Sequence, residues 1–298
     1  MMPGLDISII GPGKVGTAVG VLAVRSGLRV VAVAGGGADR TRAAAEQIGG
    51  DVQACSPAEA ATAGRLVLLT VPDDAIAAVC EGLAAAKAFT AGTVVAHCSG
   101  ALPSGVLSAA RDCCGCHVGS MHPLQTFPTV AAALERLAGA YCFCEGDEPA
   151  VEVLERLAGR IGATAARIDP AGKVLYHAAA VMACNYMVSV LDAAAALAES
   201  AGLERSTWLA ASAPMLRAGL ANVTAMGPEE ALTGPIVRGD VATVDRHVAA
   251  LAGCGPGLRR LYAAAGHRAV EIARRGGRIC EAKANEVITS LNHLLNQE

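Results

Sequence analysis

A glycine-rich segment near the N-terminus, Gly11-Pro12-Gly13-Lys14-Val15-Gly16, limits the possible fold more than any other feature of the sequence. The apolar run Asp6–Ile10 before it is predicted to be a strand, and Lys14–Arg25 after it a helix. In this setting the three glycines permit a tight turn, a close approach of the backbone to a ligand, and close packing of helix on strand. The pattern predicts a Rossmann fold that binds a dinucleotide diphosphate at the helix N-terminus. A glycine-rich turn without a ligand is the alternative.

The rest of the N-terminal half alternates short β-branched runs with alanine-rich segments, which predicts an α/β fold with a doubly wound parallel sheet. After Asp169-Pro170 the strand pattern ends, and the remaining chain is predicted to be helical. We therefore predict a Rossmann domain over residues 1–168 and an all-helical domain over residues 169–298. The predicted strands are Asp6–Ile10, Arg29–Ala34, Arg65–Thr70, Thr93–Cys98, Val118–Met121, Ala140–Cys144 and Thr164–Ile168, with a weaker one at Asp51–Gln53.

The composition narrows the range of partners and compartments. A net charge of −3 leaves no basic excess, so we expect neither a nucleic-acid nor a membrane partner. The eleven cysteines are odd in number and scattered, and no secretory segment precedes the first strand, which predicts reduced thiols and a cytoplasmic protein. The apolar stretch Val181–Ala198 contains Asn185 and Asp192 and is predicted to be a buried helix.

The end of the second predicted strand favours NADP(H) as the cofactor. NAD-binding sites usually place a carboxylate there to bind the ribose 2′-hydroxyl, whereas this chain has Ala34-Gly35-Gly36-Gly37. Arg40 and Arg42 follow closely, and Arg40 is the predicted partner of a 2′-phosphate. The alternative is that both arginines belong to an ordinary solvated helix start.

Polar residues that follow the strands are candidates for the reaction site, because ligands of such sheets bind at the carboxyl ends of the strands. Val71 and Pro72 are predicted to pass beneath the cofactor, although the aspartates after them fit a helix cap equally well. In His97-Cys98-Ser99-Gly100-Ala101, the Ser99 hydroxyl and the Gly100 amide are predicted to hold a substrate carboxylate. His122 follows the sixth strand, and a structural role is the alternative for either histidine.

The first helix after the sheet carries a further polar stripe. Lys173, His177, Val181 and Asn185 are four residues apart and so lie along one helical face. Burying an ammonium, an imidazole and a carboxamide is costly without a task, which makes Lys173, His177 and Asn185 catalytic candidates. We predict His177 as the proton donor and His122 as its reserve. The alternatives are a solvated Lys173 and an Asn185 bonded to neighbouring backbone.

Several segments together resemble the Rossmann-like proteins that carry the domain of unknown function 2520, a family assigned as NADP-dependent oxidoreductases. The segments are GPGKVG, HCSGA, MHPLQTF, YHAAAVMACNYMVSVLDAA and LTGPIVRGD. The family is more distantly similar to the 6-phosphogluconate, β-hydroxyacid, ketopantoate and pyrroline-5-carboxylate reductase group. The resemblance implies a Rossmann domain, a helical domain that mediates dimerisation, and a substrate cleft between the two. The hydroxyacid dehydrogenases have a catalytic lysine four residues before the helix asparagine, where this chain has Val181.

We expect an NADPH-dependent reductase of a small carbonyl or imine compound, such as a 2-oxo acid of the ketopantoate type, acting as a homodimer. Arg238 is a candidate for the substrate carboxylate, unless its loop is only a helix–helix turn capped by Asp240. A dinucleotide-binding sensor or regulatory protein without hydride chemistry is the rival hypothesis, favoured by the missing lysine. A thiol or zinc protein is the third, and it depends on Cys113-Cys114-Gly115-Cys116-His117 alone.

Overall fold

The computed structural model describes residues 5–296, and contacts divide the chain into two compact units, Met1–Met182 and Ala183–Glu298. The first unit contains an eight-stranded sheet with helices on both faces. The described residues of the second unit are helical apart from turns. The first helix after the sheet, which we expected to open the helical domain, is therefore part of the sheet unit.

The sheet is mostly parallel, with the strand order β3-β2-β1-β4-β5-β6-β7-β8. The first six strands run parallel, as predicted, but β7 pairs antiparallel with β6, and β8 pairs parallel with β7. This antiparallel pair was not predicted. The helix between β6 and β7 packs on the first helix of the fold. The strands are β1 Asp6–Ile10, β2 Arg29–Ala34, β3 Gln53–Ala54, β4 Leu66–Leu69, β5 Val94–His97, β6 His117–Pro123, β7 Tyr141–Gly146 and β8 Thr164–Arg167.

The helices of this unit cover a sheet that is apolar on both faces. In β4, Leu66 and Leu68 pack into one core while Val67 and Leu69 pack into the other, as expected for a strand buried on both sides. The helices are α1 Lys14–Arg25, α2 Ala38–Ile48, α3 Pro57–Ala63, α4 Asp73–Ala85, α5 Ser108–Cys114, α6 Val130–Leu137, α7 Glu148–Arg160 and α8 Lys173–Ala180. Because the carboxyl ends of β1, β4, β5 and β6 share one edge of the sheet, the segments after these strands come together.

A π-helical segment, Val181–Asn185, follows α8 without a break in the helical path. Beyond it lie α9 Tyr186–Ser200, α10 Arg205–Ala231, α11 Val241–Leu251, α12 Pro256–Arg275 and α13 Glu281–Leu295. The core of the second unit is formed mainly by α11, α12 and α13. Gly227 interrupts α10 with a φ of 80°, a left-handed conformation that suits glycine.

The prediction that Val181–Ala198 is a buried helix is wrong for the single chain, because α9 buries only Ala195 and Ala198. By length and composition alone, the helical stretch Pro170–Ser200 could cross a bilayer, and 6% of its most apolar window is buried. An apolar sequence predicts that a helix is buried, but it does not show which surface the helix is buried against. We call the exposed side chains Tyr186, Val188, Met215, Leu220 and Val223 the apolar surface of α9 and α10.

Candidate active site

The glycine-rich turn is built for close approach. Gly11 has a φ of 90°, and a Cβ atom on it would lie 2.6 Å from Val71 Cγ1, so Val71 passes directly against the turn. A Cβ on Gly16 would collide with Thr70 Oγ1. Gly13 is different, since a Cβ there would meet nothing nearer than 4.0 Å. Open space above Gly13 is what a ligand needs to approach the backbone.

The N-terminus of α1 offers hydrogen-bond donors to that space. α1 begins at Lys14, and no side chain caps it. The N–H groups of Lys14, Val15 and Gly16 precede the first intrahelical bond, from Thr17 N to Gly13 O. Unpaired N–H groups and the helix dipole favour an anion, so the turn fits the diphosphate of a dinucleotide.

The end of β2 distinguishes the two predicted arginines. The segment Gly35–Gly37 lines a groove of about 470 Å³ whose lining side chains include no carboxylate. Arg42 is paired with Asp39 in an ion pair. Arg40 Nε lies 3.4 Å from the position of a Cβ on Gly37, and within residues 5–296 no carboxylate pairs with it. Arg42 itself lines the groove. Arg40 stays the predicted partner of a ribose 2′-phosphate.

Two imidazoles converge on Gly100, just beyond β5. A Cβ on this glycine would lie 2.6 Å from His177 Cδ2 and 2.8 Å from His122 Nε2. The two rings have centroids 6.1 Å apart. Only glycine fits here without moving the rings, so the structure brings three of the predicted site residues into direct contact. Within residues 5–296, no hydrogen bond engages the ring nitrogens of His177, which leaves them available to a substrate.

His122 is held by a residue that sequence reasoning missed. Its Nδ1 lies 2.7 Å from the Tyr176 hydroxyl, and the Tyr176 ring packs 4.7 Å from that of Phe143, the register partner of His122 in β7. Burial, together with the charges of Lys173 and His177, lowers the pKa of His122 to about 4. His122 is thus neutral at neutral pH and a weak source of protons. In the sequence, only the position of Tyr176 next to His177 indicated that Tyr176 belongs to the site.

Lys173 lies beneath this cluster and is 1% exposed, so the alternative of a solvated lysine is wrong. Its Nζ donates to Ser99 O at 3.0 Å, to Ser120 Oγ, and to Glu145 Oε1 at 3.2 Å. Ser104 completes the network by donating its backbone N–H and its hydroxyl to Glu145. A carboxylate directly after the predicted strand Ala140–Cys144 was the available signal for Glu145. Because Lys173 binds the Ser99 carbonyl, it fixes the backbone next to Gly100.

The Ser99 hydroxyl is fully engaged. Its Oγ accepts from Ala101 N at 3.2 Å and from Leu102 N at 3.0 Å, and it donates to Asp73 Oδ2 at 2.6 Å. A hydroxyl has one proton and two lone pairs, so no donor remains for a ligand. Contrary to our prediction, the Ser99 side chain cannot donate to a substrate carboxylate in this arrangement. For Asp73 the sequence favoured neither a helix cap nor a site residue. In the structure its carboxylate binds Ser99 and so lies beside Gly100.

His97 has a structural role, the alternative weighed for it above. It is 0% exposed; its Nδ1 accepts from Ser99 N at 3.1 Å, and its Nε2 faces Pro103 O at 3.4 Å. Burial, with the nearby charge of Lys173, lowers the pKa of His97 to about 4.

This shift makes stability dependent on pH. An unfolded histidine titrates near pH 6.5 and folded His97 near about 4, so the unfolded state binds more protons between these values. The contribution of neutral His97 to the free energy of unfolding is fully present above about pH 6.5. It is lost on acidification towards pH 4 and amounts to about 3 kcal/mol. We expect His97→Asn, which keeps an acceptor for Ser99 N, to take up about one proton fewer on unfolding in urea across this range. An unchanged slope of stability against pH would contradict the assignment.

The other predicted residues lie in different surroundings. Asn185 ends the π-helical segment and belongs to the second unit, as does the exposed Arg238. Asp240 caps α11 by accepting from Thr243 N at 3.1 Å, as the structural alternative for that loop proposes. Across residues 5–296, no three His, Cys, Asp or Glu side chains are grouped as metal ligands, Cys113–His117 included. The roles of Asn185 and Arg238 stay predictions.

Comparison with known proteins gives two domain matches. The model of a Rossmann-like domain matches residues 1–123, and that of the domain of unknown function 2520 matches residues 140–269. No curated protein matches the sequence.

Solved structures share the fold. A provisionally named NADP oxidoreductase from Bacteroides fragilis is 22% identical, with a TM-score of 0.69 over 91% of this chain and 98% of that one. Protein TM1727 from Thermotoga maritima is 24% identical, with a TM-score of 0.65 over 95% of this chain and 98% of that one. A reductive aminase from Aspergillus terreus, in complex with NADPH and ethyl-5-oxohexanoate, is 16% identical, with a TM-score of 0.60 over 97% and 93%.

Proposed function

We propose that the protein is an NADPH-dependent oxidoreductase. The chain belongs to the proteins in which a Rossmann-like domain is followed by the domain of unknown function 2520. Its substrate is a small carbonyl or imine compound. The convergence of His122 and His177 on Gly100 carries the proposal, because it lies on the same edge of the sheet as the glycine-rich turn. The similarity to a reductive aminase that binds NADPH and a keto ester supports the class of reaction.

The residues of this chain divide the work of such a reduction. When bound, the reduced nicotinamide supplies the hydride. His177 donates a proton to the heteroatom of the substrate, which receives the electron pair of the double bond. Tyr176 holds the His122 ring against Gly100, and Lys173 fixes the Ser99 carbonyl behind it. The site therefore positions the substrate with groups whose own geometry is set by packing and hydrogen bonds.

A dinucleotide-binding sensor without hydride chemistry is the second candidate. Val181 stands where the hydroxyacid dehydrogenases have a catalytic lysine, and the lowered pKa of His122 leaves that ring without a proton to donate at neutral pH. Oxidation of NADPH in the presence of small imines, ketones and 2-oxo acids separates the two functions. Turnover of any of these compounds supports the reductase, whereas tight binding of NADPH without turnover supports the sensor.

NADPH is expected to bind more tightly than NADH, because within residues 5–296 no carboxylate pairs with Arg40, and none lines the groove at Gly35–Gly37. Removing one charge-assisted contact costs about 1.5–3 kcal/mol. Arg40→Ala should therefore weaken NADPH binding about tenfold to a hundredfold and leave NADH binding unchanged, as measured by fluorescence titration. Arg42→Ala is the comparison variant: its side chain lines the same groove but is paired with Asp39, so we expect a smaller loss of NADPH affinity than in Arg40→Ala. Equal affinities for the two cofactors in the unmodified protein would refute the assignment.

The protein is proposed to form a homodimer through the apolar surface of α9 and α10. Val188 is 62% exposed and Leu220 66% exposed. An exposed apolar surface of this kind is typical of a protein–protein interface. We expect a dimer in sedimentation at micromolar concentration, and a monomer after Val188→Glu combined with Leu220→Glu. A monomer in the unmodified protein would count against the proposal.

A further inference from the structure

The charges around Gly100 are unbalanced. Lys173 is compensated by Glu145 at 3.2 Å, and both side chains are buried. His122 is neutral at neutral pH because burial lowers its pKa to about 4. Asp73 has no cation within ion-pair distance among residues 5–296, yet its Oδ2 lies 2.6 Å from Ser99 Oγ. Among residues 5–296, the cluster thus presents a carboxylate without an ion-pair partner, and no lysine or arginine beside Gly100 is left unpaired to bind a substrate carboxylate.

A carboxylate at this position affects C=O and C=N substrates in opposite ways. Hydride addition to a ketone builds negative charge on oxygen, which Asp73 disfavours, and a 2-oxo acid adds a second anion to repel. An imine becomes a cation when its nitrogen is protonated, and a fixed carboxylate nearby stabilises that cation before any hydride is transferred.

We propose that the site takes an imine that becomes positively charged at nitrogen, and that Asp73 is the residue that selects it over ketones and 2-oxo acids. This rests on the proposed reductase function and narrows its substrate class. His177 gives its ring proton to the imine nitrogen, so that an N–H bond forms. With NADPH bound, its hydride would form the C–H bond at the imine carbon while the C=N π pair became the nitrogen lone pair, giving an amine and NADP⁺.

The chain offers a close pair of variants for the test. Asp73→Asn removes the charge but keeps an oxygen that accepts from Ser99, so the loop that carries Gly100 retains its hydrogen bond. Asp74→Asn makes the same change one residue along the first turn of α4, and within residues 5–296 no hydrogen bond or ion pair engages that side chain. If Asp73 acted only through its hydrogen bond to Ser99, Asp73→Asn would therefore change turnover and binding as little as Asp74→Asn.

The experiment compares turnover and binding in the full-length protein. Turnover of NADPH is measured with methylpyrroline, methylcyclopentanone and pyruvate, and calorimetry measures binding of pyrrolidinium and cyclopentanecarboxylate to the NADP⁺ complex. We expect the imine to be the best substrate and pyrrolidinium the tighter ligand. Asp73→Asn should lower kcat/KM for the imine and the affinity for pyrrolidinium by about tenfold or more, while Asp74→Asn changes neither.

The outcomes separate the two levels of the proposal. Preference for pyruvate or for cyclopentanecarboxylate, or selectivity unchanged in Asp73→Asn, overturns the imine assignment even where a reductase is present. Binding of pyrrolidinium that depends on Asp73, without reduction of any compound, supports the charge selection and refutes the reductase function instead.

Discussion

His177→Ala is expected to lower kcat by about 10²- to 10⁴-fold without changing the affinity for NADPH. The imidazole contacts Gly100, and no hydrogen bond within residues 5–296 occupies its nitrogens. Its loss removes the proton donor, whereas the glycine-rich turn and Arg40 are untouched. The effect should be largest at a pH where the free imine is unprotonated, since a substrate that is already protonated needs no donor.

Steady-state kinetics and a fluorescence titration measure the two quantities. His293→Ala, at an exposed histidine of α13, is the control and should change neither. Full kcat in the His177→Ala variant would rule out the proton-donor role. Full kcat in His122→Ala as well would leave both histidines with a structural role only.

Lys173→Met is expected to lower the free energy of unfolding by about 3–5 kcal/mol. The substitution leaves the carboxylate of Glu145, which is 3% exposed, buried without a cation. It also removes the donor that binds the Ser99 carbonyl, so a folded variant should lose activity as well. Equilibrium unfolding in urea at neutral pH measures the change.

Two further variants show whether the buried charge causes this loss. Combining Lys173→Met with Glu145→Gln removes both charges and should recover part of the lost stability. Arg167→Met is the control, because Arg167 pairs with Glu148 and Glu155 at the surface, where an ion pair contributes about 0–1 kcal/mol. A Lys173→Met variant as stable as Arg167→Met would contradict the account of the network.

Local patterns made the cofactor half of the site predictable. The glycine-rich turn, the strand before it and the empty carboxylate position after β2 all lie in short continuous segments. The same holds for the convergence on one sheet edge of His122 and Gly100, because a parallel sheet brings its carboxyl ends together. α8 adds His177 to them, and its helical spacing from Lys173 was readable from the sequence.

The contacts that set the chemistry were not predictable, because they depend on packing between distant segments. Asp73 and Ser99 are 26 residues apart, Glu145 and Lys173 28, and His122 and Tyr176 54. The antiparallel register of β7 decides two of these contacts by placing Glu145 opposite Ser120, and Phe143 opposite His122. Alternating strands and helices do not reveal that direction, so the buried ion pair and the tyrosine partner became visible only in the folded chain.

The central claim, hydride transfer to a small substrate at the Gly100 cluster, is tested most directly with NADPH that carries deuterium at the transferred position. The protein is incubated with methylpyrroline and methylcyclopentanone, and the products are analysed by mass spectrometry. We predict one deuterium on the former imine carbon, and much less product after His177→Ala. NADPH that binds but transfers no deuterium to either compound would contradict the account and leave a dinucleotide sensor in its place.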